Sequence, residues 1–340
     1  MRIGVLTAGG DCPGLNAAIR AVVTRAEAAG VETIGFVNGW AGLMHRDHRL
    51  LTRDDVRGIG VRGGTILGTS RLDPYVHGKG YESIRHAIET TGVERLIVIG
   101  GDGTLRTAVR LHSEGLGVIG VPKTIDNDIG GTDVSFGFHT ACQIVTDAID
   151  RLTTTAEAHN RVMVVEVMGR HTGWIATYAG MAGGAEAILI PEVDYDVAEL
   201  AARLVFRHEA GRSYSIVVVA EGAPAPGGGV RMSGVDAFGF ERLGGVGQAV
   251  AAGLEELTGY ECRTMVLGHL QRGGTPTAFD RVLATRFGVA AVEAALDGKS
   301  GVMVALRGDR VVAVDLDEAC RTVRVIDPDR HAVAGWFFAG

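Results

Sequence analysis

Short runs of apolar, β-branched residues alternate with segments of helical hydrophobic spacing along most of the chain. The first run, at residues 2–7, predicts a buried strand, and residues 15–28 predict the helix that follows it. The same pattern predicts strands at residues 33–36, 95–99, 118–121, 162–167, 187–190, 216–220, 264–267 and 302–306. Strands that are apolar on both faces and separated by helices are typical of a parallel sheet. We therefore expect an α/β protein with doubly wound parallel sheets.

Two segments depart from this alternation. Residues 221–239 are rich in proline and glycine, which predicts either an ordered excursion or a mobile loop. A length of 340 residues favours two lobes, and the polar residues 151–160 are a candidate connection between them.

Composition narrows the class of protein. Hydrophobic residues make up 46% and charged residues 21%, as in a soluble globular protein, and 51 glycines suggest many tight turns. A net charge of −7 argues against nucleic acid and anionic membrane as partners. No apolar run has the roughly 18 residues of a membrane span. The cysteines show no metal-binding spacing, which favours a reducing cytoplasm; they are Cys12, Cys142, Cys262 and Cys320.

Three glycine-rich turns indicate phosphate binding. They cover residues 9–14, 63–71 and 100–104, and the first and third each join a strand to a helix. The free N–H groups and dipole of a helix N-terminus favour phosphate oxygens. Asp102 in the third turn would repel bound phosphate unless a cation such as Mg²⁺ bridged them.

Carboxylates and arginines supply further candidate chemistry. Asp126 and Asp128 follow an apolar strand, where one could accept a hydroxyl proton and the other approach a metal, with Thr124 beside them. Arginines that lie near other strand ends could bind a phosphorylated substrate through bidentate pairs; they are Arg161, Arg170, Arg263 and Arg272. His269 accompanies Arg272 in this group of cations. Glu221 also lies at a strand end and could accept hydrogen bonds from sugar hydroxyls.

Six segments, taken together, resemble the 6-phosphofructokinase family in that family's order. They read GGDCPGLNAAIR, GGTILGTSR, IGGDGT, PKTIDND, EVMGRHTGW and LGHLQRGGTPTAFDR, and the resemblance runs from Met1 to about Arg307. It implies phosphoryl transfer from Mg²⁺-bound ATP to the 1-hydroxyl of fructose 6-phosphate, in glycolysis. It also implies a homo-oligomer, a tetramer, with shared active sites.

The resemblance also implies a role for each matching residue. Asp126 would be the catalytic base, oriented by Thr124, and Arg71 and Arg170 would stabilise the transferring phosphoryl group. Asp102 would bind Mg²⁺, with Asp128 nearby. The nucleotide-phosphate positions would be Gly10, Arg71, Leu72, Gly101, Asp102, Gly103 and Thr104. The fructose 6-phosphate positions would be Thr124, Ile125, Asp126, Met168, Gly169, Arg170, Glu221, His269, Leu270, Gln271 and Arg272, with Arg161 and Arg263 reaching a neighbouring subunit's site.

The family's two-lobed fold implies an active site between the lobes. Residues 1–137 plus about 271–309 would form the large lobe that binds ATP and Mg²⁺. Residues 138–270 plus about 310–340 would form the small lobe that binds fructose 6-phosphate.

Two residues point to different phosphoryl donors. Gly103 leaves room for the α-phosphate and adenosine of a nucleotide, whereas Lys123 is the residue type found in pyrophosphate-dependent relatives. Steric exclusion is harder to evade than a flexible lysine, so ATP is favoured and pyrophosphate is the alternative.

Two further functions share parts of this pattern: a kinase of the NAD kinase type, which also carries Gly-Gly-Asp-Gly-Thr, and a non-catalytic sugar-phosphate sensor. The PKTIDND and GHLQRGG segments argue against the kinase, and retention of Asp102 with Asp126 argues against the sensor.

Regulation is expected to differ from that of bacterial relatives. Four residues match the arginine-rich effector site of those relatives; they are Arg20, Arg53, Glu186 and Arg212. Thr24, Thr153 and Ala210 replace expected basic residues, which predicts weak or altered control by ADP and phosphoenolpyruvate.

Overall fold

A computed structural model describes residues 1–76, 80–230, 232–235 and 241–336. The strands in these ranges are β1 (Arg2–Ala8), β2 (Glu32–Phe36), β3 (His48–Leu51), β4 (Arg95–Gly100), β5 (Val118–Thr124), β6 (Phe136–Gly137), β7 (Val162–Val167), β8 (Ala187–Leu189), β9 (Ser215–Ala220), β10 (Met232–Val235), β11 (Glu241–Leu243), β12 (Cys262–Val266), β13 (Val302–Arg307) and β14 (Arg310–Asp315). The helices are α1 (Leu15–Ala28), α2 (Trp40–His45), α3 (Gly80–Thr91), α4 (Asp102–Ser113), α5 (Phe138–His159), α6 (Trp174–Ala182), α7 (Val197–Glu209), α8 (Val246–Thr258), α9 (Ala278–Leu296), α10 (Leu316–Arg321) and α11 (Pro328–Gly335). Short 3₁₀ turns cover Ile59–Val61 and Gly268–Arg272.

The chain divides into two compact units. The first contains residues 1–140 and 272–323, and the second contains residues 141–271 and those from 324 onward. Residues 310–323 belong to the first unit, although the family resemblance implied the second, because β14 pairs antiparallel with β13 along its whole length. The polar segment at 151–160 is not a connection, since most of it continues α5.

The first unit is built on a sheet in the order β14-β13-β5-β4-β1-β2-β3, with β6 paired to β5. Its central strands are parallel, and antiparallel pairs close both edges. Alternate residues of each strand face opposite sides, so the apolar runs can bury both faces. On one face of the sheet, Leu6 and Val98 pack with Leu43 of α2 and Leu105 of α4. Helices α1 and α9 contact each other and also contact strands of this sheet. Helices on both faces confirm the doubly wound prediction.

The second unit has a smaller, fully parallel sheet in the order β12-β7-β9-β8. Val164 and Val219 pack on one face against Leu204 of α7 and Leu254 of α8. Helix α6 contacts β8 and β9. The ends of β7 and β9 therefore lie side by side, which places the segments after them at one edge of this sheet.

Part of the proline- and glycine-rich segment packs onto the second unit. Ala223 and Ala225 are buried with its core, and the Tyr195 hydroxyl donates to the Pro224 carbonyl at 2.5 Å. Strands β10 and β11 form an antiparallel hairpin. Residues 231 and 236–240 of this region lie outside the described residues. In the described ranges, no helix combines the length and apolar character required to span a bilayer.

Candidate active site

The first glycine-rich turn connects β1 to α1 in the first unit. Gly9 and Gly14 have φ of 83° and 111°, backbone conformations that favour glycine. The Gly9 N–H donates to the Ser70 carbonyl at 2.9 Å, and the Thr69 hydroxyl donates to the Gly9 carbonyl at 2.7 Å. The first and second turns are therefore joined by one main-chain and one side-chain hydrogen bond.

Two cations hold the carbonyl groups of the first turn. Lys123 donates to the Gly10 carbonyl, and Arg272 Nη1 donates to the Asp11 carbonyl at 3.2 Å. Lys123 is only 3% exposed, and burial followed by the Arg272 charge lowers its pKa. A Cβ at residue 10 would lie 2.6 Å from Arg272 Nη1, so any side chain there would displace the guanidinium group. The structure thus brings Lys123 and Arg272 to the same turn, a contact that the sequence motifs did not indicate.

The thiol of the first turn does not resemble a reactive cysteine. Cys12 is fully buried, contacts the Phe136 carbonyl at 3.6 Å, and has its pKa raised to about 12, mainly by burial. A nucleophilic thiol requires a lowered pKa and access, and Cys12 has neither.

The second turn approaches other backbone closely. A Cβ at Gly63 would lie 2.2 Å from the Gly274 carbonyl oxygen. The Thr7 hydroxyl donates to the Gly68 carbonyl at 2.8 Å, which fixes the turn beside the end of β1. Arg71 and Leu72 follow this turn; Arg71 is exposed, and Leu72 packs partly against the core.

The third turn carries Asp102 at the first position of α4, after Gly101 as its N-cap. A carboxylate at a helix N-terminus is stabilised by the helix dipole. Arg106, one turn further, donates through Nε to both Asp102 oxygens, at 2.8 and 3.0 Å. A Cβ added at Gly103 would meet nothing within 4 Å. There is therefore open space beside Gly103.

The segment after β5 presents the two predicted aspartates. The Asp126 N–H donates to Thr124 Oγ1 at 3.1 Å, so Thr124 orients Asp126 through its main chain. Asn127 has φ of 53°, and its side chain accepts the Ser135 N–H at 3.0 Å. Burial and the neighbouring Asp126 carboxylate raise the pKa of Asp128 to about 7.

The carboxylates fit a divalent cation that has few protein ligands. Oδ1 of Asp128 is buried without a hydrogen-bond partner in the described residues, and Asp102 and Asp126 are close enough to contribute to the raised pKa. No group of three or more acidic, histidine or cysteine side chains converges on a metal position in those residues. Mg²⁺ suits such a site, because it commonly takes one or two protein carboxylates and completes its shell with phosphate and water.

The second unit brings the predicted acceptor residues to one sheet edge. Met168, Gly169 and Arg170 follow β7, and Glu221 follows the neighbouring strand β9. The Glu221 N–H donates to the Val167 carbonyl at 2.8 Å, and Gly169 has φ of 145°. These two strand ends are therefore hydrogen-bonded to each other.

The predicted residues at 269–271 do not share one environment. His269 and Leu270 are exposed, with Leu270 at 69%. Gln271 is fully buried; its Oε1 accepts the Met168 N–H at 3.2 Å, and its Nε2 donates to the Gly268 carbonyl at 3.0 Å. Gln271 therefore positions the segment after β7, and its burial does not favour the predicted direct contact with substrate.

Arg161 and Arg263 share one carboxylate within the chain. Arg161 Nε lies 2.5 Å from Glu261 Oε2, and Arg263 pairs with Oε1 of the same residue. The hydrogen bond from Arg161 is the main cause of the lowered pKa of Glu261. The two predicted arginines are thus brought together by a residue that the sequence motifs did not identify.

The fold and sites define a phosphate-handling α/β protein. The phosphofructokinase family model matches residues 2–295. The chain is 55% identical to a pyrophosphate–fructose 6-phosphate 1-phosphotransferase from Amycolatopsis methanolica, over 99% of this chain and all of the relative. It is 52% identical to ATP-dependent 6-phosphofructokinase 3 from Streptomyces coelicolor, over 98% and 99% of the two chains. The Pichia pastoris phosphofructokinase in the T-state matches with a TM-score of 0.83 and 32% identity, covering 99% of this chain and 36% of that one. The chain belongs to the phosphofructokinase family.

Proposed function

We propose that the chain transfers a phosphoryl group from ATP to the 1-hydroxyl of fructose 6-phosphate, giving fructose 1,6-bisphosphate and ADP. The observation that carries this proposal is the set of three glycine turns beside the Thr124–Asp126 strand end, all in the first unit. Phosphate-binding turns supply the donor half of a kinase, and a positioned carboxylate supplies the base. The names of the Amycolatopsis and Streptomyces relatives support a phosphofructokinase reaction.

Asp126 is the proposed base. Its carboxylate would take the proton of the sugar 1-hydroxyl as that oxygen attacks the terminal phosphorus of the donor. The hydrogen bond from the Asp126 N–H to Thr124 Oγ1 fixes the main chain that carries the Asp126 carboxylate. Proper orientation of the attacking hydroxyl contributes much of the rate in this kind of reaction.

In this proposal, the positive charges of Arg71, Arg170 and Mg²⁺ offset the negative charge on the transferring phosphoryl group. Asp102 and Asp128 would hold the cation, and Arg106 would release Asp102 in part, since that exposed pair contributes little stability. When bound, Mg²⁺ neutralises charge on the donor phosphates. The guanidinium groups add bidentate donors to phosphate oxygens.

The second unit supplies most of the proposed acceptor residues. Met168, Gly169 and Arg170 with Glu221 would contact fructose 6-phosphate, joined by His269 and Leu270. Arg272, which belongs to the first unit, is a further proposed contact. Arg161 and Arg263 would exchange Glu261 for the sugar phosphate of a neighbouring subunit. This arrangement requires a homo-oligomer, which we propose is a tetramer located in the cytoplasm.

ATP is the proposed donor because of the open space beside Gly103. Lys123, the residue that suggests pyrophosphate, already donates to the Gly10 carbonyl and is buried, so its position is explained without a donor contact. Pyrophosphate is the second candidate, since the Amycolatopsis relative is named for it.

Formation of fructose 1,6-bisphosphate with Mg²⁺, measured with ATP and with pyrophosphate at matched concentrations, tests the proposal. Turnover with ATP is the expected result, and turnover with pyrophosphate alone would reverse the donor assignment. Asp126→Ser should reduce kcat by about three orders of magnitude or more while fructose 6-phosphate still binds, because it removes only the base. A wild-type chain that binds fructose 6-phosphate but turns over neither donor would favour the sugar-phosphate sensor.

A further inference from the structure

Residues 71–76, which we call the strap, connect two parts of the first unit. At one end, Thr69 and Ser70 are hydrogen-bonded to Gly9 of the first turn at 2.7 and 2.9 Å. At the other end, Tyr75 donates its hydroxyl to Glu114 Oε2 at 2.6 Å, at the end of α4. Arg71 and Leu72, two of the proposed nucleotide residues, lie between these anchors.

The Tyr75 anchor has three mutually supporting contacts. The Arg110 guanidinium lies 3.5 Å from the centre of the Tyr75 ring, within range of a cation–π interaction. Arg110 Nε also lies 3.6 Å from Glu114 Oε1. A tyrosine phenol is a protonated donor at neutral pH, and burial and the bond to Glu114 raise the pKa of Tyr75 further.

Glu114, which accepts the Tyr75 hydroxyl, lies at an unfavourable position for a carboxylate. Glu114 is the C-cap of α4, where the negative end of the helix dipole disfavours a carboxylate. The Tyr75 hydroxyl and the Arg110 charge compensate for this unfavourable placement. A neutral or basic residue at this position would make the helix more stable than a glutamate does.

The strap and α4 carry the two sides of the proposed donor site. Asp102, Gly103 and Thr104 lie in the first turn of α4, and Glu114 closes the opposite end of the same helix. The Tyr75 N–H donates to Asp73 Oδ1 at 2.9 Å, which orders the strap between its anchors. Because a helix is rigid over this length, fixing Tyr75 to its end limits how far Arg71 and Leu72 can move relative to its beginning.

We propose that Tyr75, held by Glu114 and Arg110, is a positioning residue that sets the affinity of the donor site. The proposal rests on the function proposed above. Tyr75 acts through Arg71 and Leu72, so its loss affects the donor and leaves the acceptor unaffected.

Kinetics of Tyr75→Phe test this role, with Tyr81→Phe as the matched control. Tyr81 donates its hydroxyl to the Glu114 carbonyl at 2.8 Å, so its variant removes a hydrogen bond at the same helix end but outside the strap. Tyr75→Phe should raise the KM for ATP roughly five-fold, the equivalent of about 1 kcal/mol for one hydrogen bond. The KM for fructose 6-phosphate and the Tm should match those of Tyr81→Phe.

A second variant and a binding measurement complete the test. Glu114→Ala combined with Tyr75→Phe should raise the KM for ATP no further than the larger single change, because both remove the Tyr75–Glu114 hydrogen bond. Equal KM values for ATP in Tyr75→Phe and Tyr81→Phe would overturn the proposal, as would an equal rise in both substrates' KM values. If the wild-type chain uses neither donor, the proposed function fails. The positioning role of Tyr75 is then tested by the Kd of Mg-ATP from titration calorimetry, which should be roughly five-fold higher for Tyr75→Phe than for the wild-type chain.

Discussion

At the scale of single residues, Gly103 offers a direct test of donor choice. Its Cβ position is open, and an aspartate in the first turn of a helix is favourable, so Gly103→Asp should fold normally. The added carboxylate would repel the phosphates of ATP and occupy the space beside them. We expect kcat/KM for ATP to fall roughly tenfold or more, since a like-charge contact of about 1.4 kcal/mol already gives that factor.

Gly103→Ala is the control for the Gly103→Asp variant. It adds the same Cβ without charge, so it should keep most of the activity with ATP. Equal losses in the two variants would assign the effect to volume alone, and no loss in Gly103→Asp would remove Gly103 from donor selection. The ratio of ATP to pyrophosphate turnover, measured for both variants, separates these results.

Lys123 shows why one motif can suggest two functions. The sequence has a lysine after the proline of PKTIDND, a residue type that the family resemblance associates with pyrophosphate-dependent relatives. In the fold, the same side chain runs to the Gly10 carbonyl, which only the three-dimensional approach of β5 to the first turn reveals. The residue type was visible in the sequence, but its partner, 113 residues away, was not.

At the scale of elements, the starts of α5 and α9 form a pH-sensitive junction. Asp280 Oδ2 accepts the Thr140 N–H at 2.7 Å and its hydroxyl at 2.5 Å. His139 packs against Phe279, with ring centres 3.9 Å apart and the ring planes tilted by 41°. Burial lowers the pKa of His139, against a smaller raising effect of the Asp280 charge. The folded state therefore favours the neutral imidazole.

The sign of the pH effect follows from that lowered pKa. The unfolded histidine titrates near 6.5, so the stability contributed by His139 is complete above that pH and is lost as pH falls through the lower folded-state pKa. We expect the Tm to fall between pH 7 and pH 5, and to fall less in His139→Asn, which cannot be protonated. An identical pH dependence in both proteins would assign the effect to other groups, such as His208, whose pKa burial also lowers.

The strand pattern predicted nine of the fourteen strands in the described ranges, most of which are buried on both faces. Residues 162–167 and 15–28 were predicted with the observed bounds, and most other strands differ by one to three residues at an end. The edge strand β14 was missed because its pattern of half-exposed positions lacks a continuous apolar run. The Glu261 pair and the Tyr75 anchor were also missed, since charged surface residues carry no spacing that identifies their partners.

At the scale of the whole molecule, two of the four matched effector residues, Arg53 and Glu186, are already engaged within the chain. Glu186 is 8% exposed; its oxygens accept from Arg207 and from the Ile216 N–H, each at 2.5 Å. Arg53 pairs with Glu27 at 3.1 Å. These contacts, with Thr24 and Ala210 at positions expected to be basic, reduce the positive charge that an anionic effector would meet.

We therefore expect a weak response to ADP and phosphoenolpyruvate. Either effector should change the half-saturating fructose 6-phosphate concentration by less than about twofold, below the roughly five-fold change of an ordinary allosteric coupling. Thr24→Arg combined with Ala210→Arg should increase the response, because it restores cations at two of the substituted positions. A strong, saturable response of the wild-type chain would contradict this prediction.

Shared active sites can be tested by mixing two inactive variants. If Arg161 and Arg263 act on a neighbouring subunit, each active site takes its base from one chain and these arginines from another. The double variant Arg161→Ala, Arg263→Ala then lacks the arginines, whereas Asp126→Ser lacks the base. Hybrids assembled from equal amounts should then regain up to about a quarter of wild-type activity, because roughly one site in four combines an intact base with intact arginines. Recovery requires subunit exchange, which sedimentation of differently labelled chains verifies. Hybrids that form without regaining activity would place both arginines in the site of their own chain, where Glu261 already holds them.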